Sequence, residues 1–451
     1  MIMRYALRVG LATAALATTA AAQQGLPPAR PLGPIEHESS MSLRSISEAR
    51  SLPGGRVLVN DIVDHRVMLF DSTLTTATAV ADTTAATANA YGNRPGGLIA
   101  YHADSTLFVD PASLSMLVID GAGKIGRVMA VPRPDEAMFL IGGPFGEPGF
   151  DPKGRLVYRG GQLLMTAPPR GADLKTFAPQ FPDSAPIVRL NIATRAEDTV
   201  AFFKLAPTKM SITRTDNGFS AQSVVNPMPV VDSWTLLSDG TVAVVRGSDF
   251  HVDYYHLDGT HTSATKVPFN WQRLTDSLKA AVLDSAKNAM EKARATRQAA
   301  LDSTRKLTGD ASKGHQQVIG DPSAGLGGGG TMVFSVRTGG PDGGTPPTRG
   351  GSSTAITLPP FKFVEPYELP DYRPAFGSAA AKSDADGNLW IRTTDSNQGA
   401  PIYDIVNGEG AVIDRVQLPP FRTIAGFGKG IVYMGVADST GAIHLEQARI
   451  K

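Results

Sequence analysis

The chain has 451 residues, no cysteine, and 43 basic against 42 acidic side chains, so its formal net charge is only +1. This balance gives no electrostatic basis for nucleic-acid binding, and the missing cysteines exclude disulfides, thiolate chemistry and a lipoprotein anchor. A chain of this length can bury a large apolar core without such crosslinks.

The first residues predict an export signal. Arg4 and Arg8 precede an apolar run that ends in small residues at Ala22, which is the layout of a secretory signal peptide. The run is shorter and richer in threonine than a transmembrane helix of about 20 apolar residues. We therefore expect residues 1–22 to be removed and residues 23–451 to form a periplasmic or secreted protein without a stable membrane span.

One phrase recurs along the rest of the chain. In "SLPGGRVLVNDIVDHRVMLFD" a glycine turn is followed by a strand-forming run, a polar turn and a second run, and this order occurs six times. Such turns between β-branched and aromatic runs are typical of hairpins. The turn residues are Gly55, Ser105, Gly154, Gly240, Gly387 and Gly430. A further strand follows several copies, so the repeats predict an all-β, six-bladed propeller with four-stranded blades.

The two ends of the chain are predicted to meet. The sixth copy ends after its third strand at Lys451, whereas a short strand-like segment follows the signal peptide. We expect the segment near Ile35 to Ser40 to pair with the strand near Ala442 to Ile450 and so close the ring.

The phrases "LPGGRVLVND", "DADGNLWIR" and "LSDGTVAVVRG" resemble the blades of six-bladed β-propellers of the NHL type and their exported bacterial relatives. The resemblance spans nearly the whole mature chain except its insertions. It implies a fold and leaves the function open, because the same scaffold carries lactonases, lyases and pure binding proteins.

Residues 270–357 form an insertion between the fourth and fifth copies. Apolar residues recur at helical spacing between Leu274 and Ala293, which predicts a helix over Trp271–Leu307 capped by Thr275 or Asn270. We expect its first turns to pack against the propeller, and the alternative is a helix that docks a partner. The Gly- and Pro-rich remainder predicts a flexible linker or a disordered loop.

Three other stretches are interpreted as local structure. The glycines Gly121, Gly123 and Gly126 spell GxGxxG but precede a strand-like run, whereas a dinucleotide site requires a helix there. "DADGN", Asp384 to Asn388, lacks the flanking carboxylates of a calcium loop and is predicted to be a hairpin turn. The Ala- and Thr-rich stretch Thr73 to Asn93 predicts an outer strand and a loop.

Three arginines form the candidate ligand site. Arg159, Arg246 and Arg392 fall at the end of the second strand in their copies, which places them at one face around the channel mouth. Guanidinium groups there favour a carboxylate or phosphate, and His251 and Asp253 lie in the turn and strand that follow Arg246. The alternative is that each arginine pairs locally with an acid such as Asp249 or Asp395. In the three other copies, the position equivalent to these arginines is occupied by Asn60, Asp110 and Gly435.

The residues lead to three functional hypotheses. The first is a monomeric binding or interaction module for a small anionic ligand, with no cofactor. The second is a hydrolase or lyase similar to gluconolactonase or streptogramin lyase, whose divalent metal would be held by Asn60, Asp61, Asp110 and His251. The third is a scaffold that binds a protein partner through the inserted helix. A zinc site formed by His251, His256 and His261 is disfavoured, because His256 points to the opposite face of its strand.

Overall fold

A computed structural model describes residues 25–161, 181–215, 218–308, 333–337, 358–397 and 399–450. The predicted signal peptide and most of the Gly-rich part of the insertion lie outside these ranges. Within them, the regular structure is mostly β-strand, with one long α-helix.

The described chain opens with two short strands, β1 Arg30–Pro31 and β2 Ile35–Glu38. Sheet 1 contains β3 Glu48–Ser51, β4 Val57–Asp61, β5 Arg66–Phe70 and β6 Ala77–Ala81. Sheet 2 contains β7 Gly97–Ala100, β8 Thr106–Asp110, β9 Ser115–Ile119 and β10 Ile125–Ala130. Sheet 3 contains β11 Gly149–Phe150, β12 Leu156–Arg159, β13 Ser184–Leu190 and β14 Glu197–Lys204.

The hairpin β15 Lys209–Thr215 and β16 Gly218–Val225 follows. Sheet 4 contains β17 Ser233–Leu236, β18 Val242–Arg246, β19 His251–Tyr255 and β20 His261–Ser263. Next come helix α1 Asp276–Thr308, β21 Val333–Arg337 and β22 Lys362–Phe363. Sheet 5 contains β23 Phe376–Ser383, β24 Leu389–Asn397, β25 Ala400–Val406 and β26 Val412–Gln417. Sheet 6 contains β27 Arg422–Gly428, β28 Ile431–Ala437 and β29 Ile443–Arg449. Short 3-10 helices occupy Pro53–Gly55, Ala85–Thr87, Pro134–Ile141, Gly143–Phe145 and Pro366–Glu368.

Consecutive strands within each of the six sheets pair antiparallel in chain order. The predicted pairing of the two chain ends is confirmed, since β2 lies antiparallel to β29 with Ile35 opposite Ala448 and Glu38 opposite Glu446. A second N-terminal strand was not predicted: β1 adds to sheet 5 in parallel with β26. The N-terminal segment therefore contacts both of the last two sheets.

The second strand of each sheet is buried on both faces, which explains why these runs are continuously apolar rather than alternating. Neighbouring side chains on such a strand point to opposite sheets, so Leu58 packs toward sheet 2 and Val59 toward sheet 6. Six apolar clusters result, and each contains second-strand residues from two sheets: Leu58 and Phe108, Val109 and Tyr158, Val157 and Val244, Val245 and Ile391, Trp390 and Met434, and Tyr433 and Val59. The last cluster joins sheet 6 to sheet 1.

The repeated Asp and Gly residues build the tight turns. Oδ1 of Asp384 accepts the backbone N–H groups of Asp386 and Asn388 at 2.9 and 2.8 Å, and Gly387 adopts a φ of 84°. A positive φ of this kind favours glycine. The predicted hairpin turn at "DADGN" is thereby confirmed, and so is the turn interpretation of Gly121 and Gly123, because β10 and no helix follows.

The insertion contains more β-structure than predicted. Helix α1 is confirmed, and the Thr275 hydroxyl accepts the Leu278 N–H at its start at 3.3 Å. The prediction of a linker is wrong for Val333–Arg337, which pairs with β16. Strands β15, β16, β21 and β22 form a seventh sheet. Among the described residues the helix packs against this region, where Leu283 shares an apolar cluster with Val364 and Leu369.

The expected outer strand in the Ala- and Thr-rich stretch is β6, with a 3-10 turn at Ala85–Thr87. No helix among the described residues is both long and apolar enough to cross a membrane.

Candidate functional site

The strand order brings the functional candidates to one end of the sheets. In an antiparallel meander the second strand ends where the first strand begins, as the pairs Glu48 with Asn60 and Ser233 with Val245 show. We call this end the loop face. The connections between sheets also enter here, and the seventh sheet is built from the two connections that flank sheet 4.

Arg246 ends β18 at the loop face and is fully bonded within the protein. Its guanidinium donates to Asp253 at 2.7 Å, to Asp232 at 2.8 Å and to the Tyr255 hydroxyl at 3.1 Å. The alternative of local pairing therefore describes Arg246, although its partners are Asp232 and Asp253 rather than Asp249. Such a saturated guanidinium stabilises the entry of the chain into sheet 4.

His251 and Asp253 belong to the same cluster as Arg246. Nε2 of His251 lies 3.3 Å from Asp253, and its Nδ1 lies 2.6 Å from Asp249. Asp253 also contacts the Ser263 hydroxyl. Although burial opposes its ionisation, the hydrogen bonds from Ser263 and Arg246 hold the pKa of Asp253 below its ordinary value. His256 is directed to the other face, toward Thr241, as the strand alternation predicts.

Arg159 ends β12 and lies in a different environment. It is only 3% exposed, and its guanidinium carbon stacks 3.9 Å from the centre of the Phe139 ring. Within the described part of the chain it has neither an ion pair nor a hydrogen bond, and its Nη1 is buried. Burial lowers the pKa of Arg159 to about 10, a shift that Glu136 partly opposes. A buried guanidinium without an acceptor is costly, because desolvation of the charge is not offset.

Arg392 is half-buried, and among the described residues it also has no ion pair. The prediction that it ends its strand is wrong, since β24 continues to Asn397. Asp395, the alternative partner predicted for Arg392, pairs with Arg415 at 3.1 Å. Arg392 lies opposite Tyr403. Burial raises the pKa of the Tyr403 hydroxyl, and the positive charges of Arg392 and Lys382 partly oppose this shift. No described contact links Arg159, Arg246 and Arg392 directly.

The structure adds a charge cluster that the sequence analysis missed. The first strands are the inner strands, because β3 contacts both β27 and β7, β7 contacts β11, and β17 contacts β23. Lys382 on β23 forms an ion pair with Glu147, which lies just before β11. Glu48 on β3 is close enough to interact electrostatically with both. We call Glu48, Glu147 and Lys382 the axial cluster, because sheets 1, 3 and 5 each contribute one member.

The axial cluster contains a carboxyl group with an altered affinity for protons. Burial, and then the neighbouring Glu147, raise the pKa of Glu48 to about 8. For Lys382, burial alone would lower the pKa, but the contact with Glu147 raises it above its ordinary value. Glu48 nevertheless remains partly accessible to solvent. Glu48 itself could have indicated this cluster, because it is a charged residue on a first strand and the equivalent position is mostly apolar or small in the other copies.

The residues of the metal hypothesis occupy separate places. Asn60 donates to the Gly96 carbonyl at 2.7 Å, Asp61 pairs with Arg66 at 3.0 Å, and Asp110 accepts the Ala112 N–H at 3.0 Å. His251 belongs to sheet 4. Across the described ranges, no group of three or more His, Asp or Glu side chains is arranged to hold a metal ion.

No protein-family profile matches the chain, and no curated protein matches its sequence. Several solved structures are similar at low identity. A streptogramin B lyase is 10% identical, with 92% of this chain and 86% of that chain covered and a TM-score of 0.34. An inactive virginiamycin B lyase from Staphylococcus aureus with quinupristin is 12% identical, with coverages of 92% and 99% and a TM-score of 0.36. The PQQ-bound aldose sugar dehydrogenase from Streptomyces coelicolor is 12% identical, with coverages of 94% and 99% and a TM-score of 0.37. Likeness at this level transfers no activity, so function has to be argued from the side chains of this chain.

Proposed function

We propose that the protein is a six-bladed β-propeller that binds a small anionic molecule at the axial end of its loop face. The six-bladed ring is supported by six apolar clusters that join successive sheets and return from sheet 6 to sheet 1. A ring of this kind leaves a central space into which the first strands project side chains. The axial cluster would line that space.

Arg159 is the observation that carries the anion proposal. A guanidinium this deeply buried normally has a carboxylate or phosphate partner, because the ion pair and its hydrogen bonds offset the loss of hydration. The described chain supplies no such partner to Arg159 or to Arg392, whereas Arg246 has two. A bound anion would satisfy the free donors in the way that Asp232 and Asp253 satisfy Arg246.

The test is anion binding by purified residues 23–451. Thermal shifts and calorimetry with succinate, gluconate and inorganic phosphate should detect at least one ligand. A ligand at about 100 times its Kd adds roughly 2.7 kcal/mol of stability. In Arg159→Met the thioether chain keeps the packing against Phe139 while the charge is removed, so the ligand-induced shift should disappear. The matched control is Arg195→Gln, an exposed arginine in the turn between β13 and β14 at the opposite end of sheet 3. An unchanged shift in Arg159→Met would refute the proposal.

The same assay examines the metal-dependent alternative. A melting temperature that falls on addition of a chelator and is restored by a divalent ion would favour a metal-dependent enzyme over a pure binding protein. Anion binding that is insensitive to the chelator supports the binding protein.

Export is the proposed destination of the protein. The support is the order of Arg4, Arg8, the apolar run and Ala22 in the sequence. The test is to express residues 1–451 in a bacterium that has a periplasm, to separate the periplasmic and cytoplasmic fractions, and to measure intact masses. The periplasmic fraction should contain a species that begins at Gln23. A full-length species confined to the cytoplasm would contradict export.

A further inference from the structure

A groove lies between helix α1 and the segment that leads from the insertion to sheet 5. We call residues 358–371 the return segment, because the chain runs back along α1 here in the opposite direction. At one end the Leu358 N–H donates to the Gln298 side chain at 2.8 Å, and at the other end the Lys279 ammonium donates to the Leu369 carbonyl at 3.1 Å. The segment is thus fixed to the helix at both ends, and a space remains between these contacts.

This space is a cavity of about 470 Å³. Its helical wall consists of Leu283, Lys287 and Glu291, which are four residues apart and therefore lie on one side of α1, and its other wall consists of residues 361–366. Leu283 is only 2% exposed and shares an apolar cluster with Val364. The cavity volume lies within the roughly 300–1,000 Å³ of small-molecule sites, which combine an apolar lining with a few polar groups.

The two acids that line the groove already have cations nearby. Oε2 of Glu291 accepts a hydrogen bond from Arg294 at 2.6 Å, and its Oε1 accepts the Phe361 N–H at 3.1 Å. Glu365 is exposed and lies close enough to Lys209 to interact electrostatically. These carboxylates therefore contribute little uncompensated negative charge to the groove.

The two lysines of the lining lack such close partners. The contact of Lys287 with Asp284 is 3.8 Å long, beyond hydrogen-bond distance, and Lys287 is 49% exposed. Lys362 donates to the neutral Ser211 hydroxyl at 2.7 Å, and within the described ranges it forms no ion pair. A lysine can lay its alkyl chain along an apolar wall while its ammonium stays available. The groove therefore combines an apolar surface with a surplus of positive charge.

We propose that this groove binds an amphipathic carboxylate, a molecule with an apolar chain and one acidic end. The chain packs against Leu283, Phe361 and Val364, and the carboxylate contacts Lys287. A ligand of this class uses both properties of the groove, whereas a strongly polar acid such as gluconate has no apolar chain to bury. This second site is distinct from the anion site at Arg159, because its walls belong to the insertion and the seventh sheet.

Calorimetry of purified residues 23–451 with octanoate tests the site. Each buried CH₂ group should tighten binding about fourfold, so octanoate should bind about fifteenfold more tightly than hexanoate. Lys287→Met keeps an apolar side chain and removes the charge, so it should weaken octanoate binding about tenfold and leave the affinity for neutral 1-octanol unchanged. Lys292→Met, at an exposed position of the same helix, is the matched control and should bind octanoate like wild type. Phe361→Ala shortens the apolar wall and should weaken the binding of both ligands.

Hydrogen exchange locates the ligand, since octanoate should slow the exchange of amides in residues 283–291 and 361–366. A Kd for octanoate above about 1 mM, or equal affinities for Lys287→Met and Lys292→Met, would overturn the proposal. Octanoate binding that is lost in Arg159→Met and retained in Lys287→Met would place the ligand at the loop face and also refute the groove. Protection of residues 361–366 that grows with protein concentration without octanoate would show that a second copy of the chain occupies the groove instead.

Discussion

Lys382 in sheet 5 forms an ion pair with Glu147 at the entry to sheet 3, although sheet 4 separates these two sheets along the chain. The contact therefore joins two sheets that are not consecutive along the chain. It also explains why Glu48 from sheet 1 is influenced by both partners. The Lys382–Glu147 pair thus links sheets 3 and 5 and also influences the pKa of Glu48 in sheet 1.

Removing Lys382 should destabilise the protein moderately. Glu147 is 38% exposed and Lys382 20%, so water screens the pair, and we expect Lys382→Met to cost about 1 kcal/mol rather than the 3–5 kcal/mol of a fully buried pair. Urea denaturation of Lys382→Met, Glu147→Gln and the double variant gives the coupling energy. Lys209→Met, which breaks an exposed pair with Glu368, is the control and should cost less. A double variant whose loss equals the sum of the single losses would show that the pair is energetically uncoupled.

The stability of the ligand-free protein should depend on Glu48. Since its pKa in the folded state, about 8, lies above the ordinary value of 4.5, the folded state binds the extra proton between these values. The resulting stabilisation is complete below about pH 4.5 and is lost as the pH rises through 8. Urea denaturation from pH 5 to pH 9 should show that wild type loses about 4 kcal/mol relative to Glu48→Gln.

Other titrating groups contribute equally to both proteins, so the difference between the two curves isolates Glu48. Glu409→Gln should follow the wild-type curve. A wild-type protein that parallels Glu48→Gln across this range would indicate an ordinary pKa for Glu48.

Two arginines at equivalent positions should respond in opposite ways to the same substitution. Arg159→Met removes a buried charge that has no described partner, so the free energy of unfolding should be unchanged or raised by about 1 kcal/mol. Arg246→Met leaves Asp232 and Asp253 without their cation and should cost about 3 kcal/mol. Chemical denaturation of the ligand-free variants makes the comparison. A loss for Arg159→Met as large as that for Arg246→Met would mean that Arg159 serves the fold.

These arginines also show what the sequence could predict. The turn glycines and the doubly buried second strands occur at regular places in each copy, so the sheets and the pairing of Ile35 with the C-terminal strand could be predicted from pattern alone. The partners of Arg246 could not, because Asp232 comes from the irregular segment before β17. Spacing along the chain favoured Asp249, which instead contacts His251 and Lys266.

The axial cluster was not predicted for a related reason. Glu48, Glu147 and Lys382 are far apart in sequence and share no motif, and only the arrangement of the sheets brings them together. The seventh sheet was missed because its four strands come from two separate insertions. Val333–Arg337 lies in a Gly-rich context that resembles a linker, yet it pairs with β16. Long-range pairing overrides local composition in such cases.

The contact between the last and first sheets can be tested at Gly426. A Cβ atom at this position would lie 1.8 Å from the Ala49 carbonyl oxygen, so β27 could not approach β3 as it does. Gly426→Ala should therefore cost about 3 kcal/mol through forced separation of sheets 6 and 1. Gly408→Ala is the control, because no atom lies within 4 Å of its added Cβ. Equal melting temperatures for the two variants would argue against close packing of these sheets.

The N-terminal strand should be essential to the stability of sheet 6. Without β2, the outer edge of β29 would expose unpaired N–H and C=O groups. Leu43 packs in the cluster between sheets 6 and 1 and forms a bridge to Ile443. This bridge would be weakened if the preceding segment were absent. Deletion of residues 23–42 should lower the melting temperature sharply, because several stabilising contacts are lost together. In a large domain each kcal/mol of lost stability lowers the melting temperature by roughly 4 °C or less. The double variant Glu36→Gln and Arg449→Gln, which removes only an exposed side-chain pair on the same two strands, is the control and should melt close to wild type. An unchanged melting curve after the deletion would mean that β2 contributes nothing to closure, whereas a large loss confined to the deletion assigns the stabilisation to backbone pairing between the two ends of the chain.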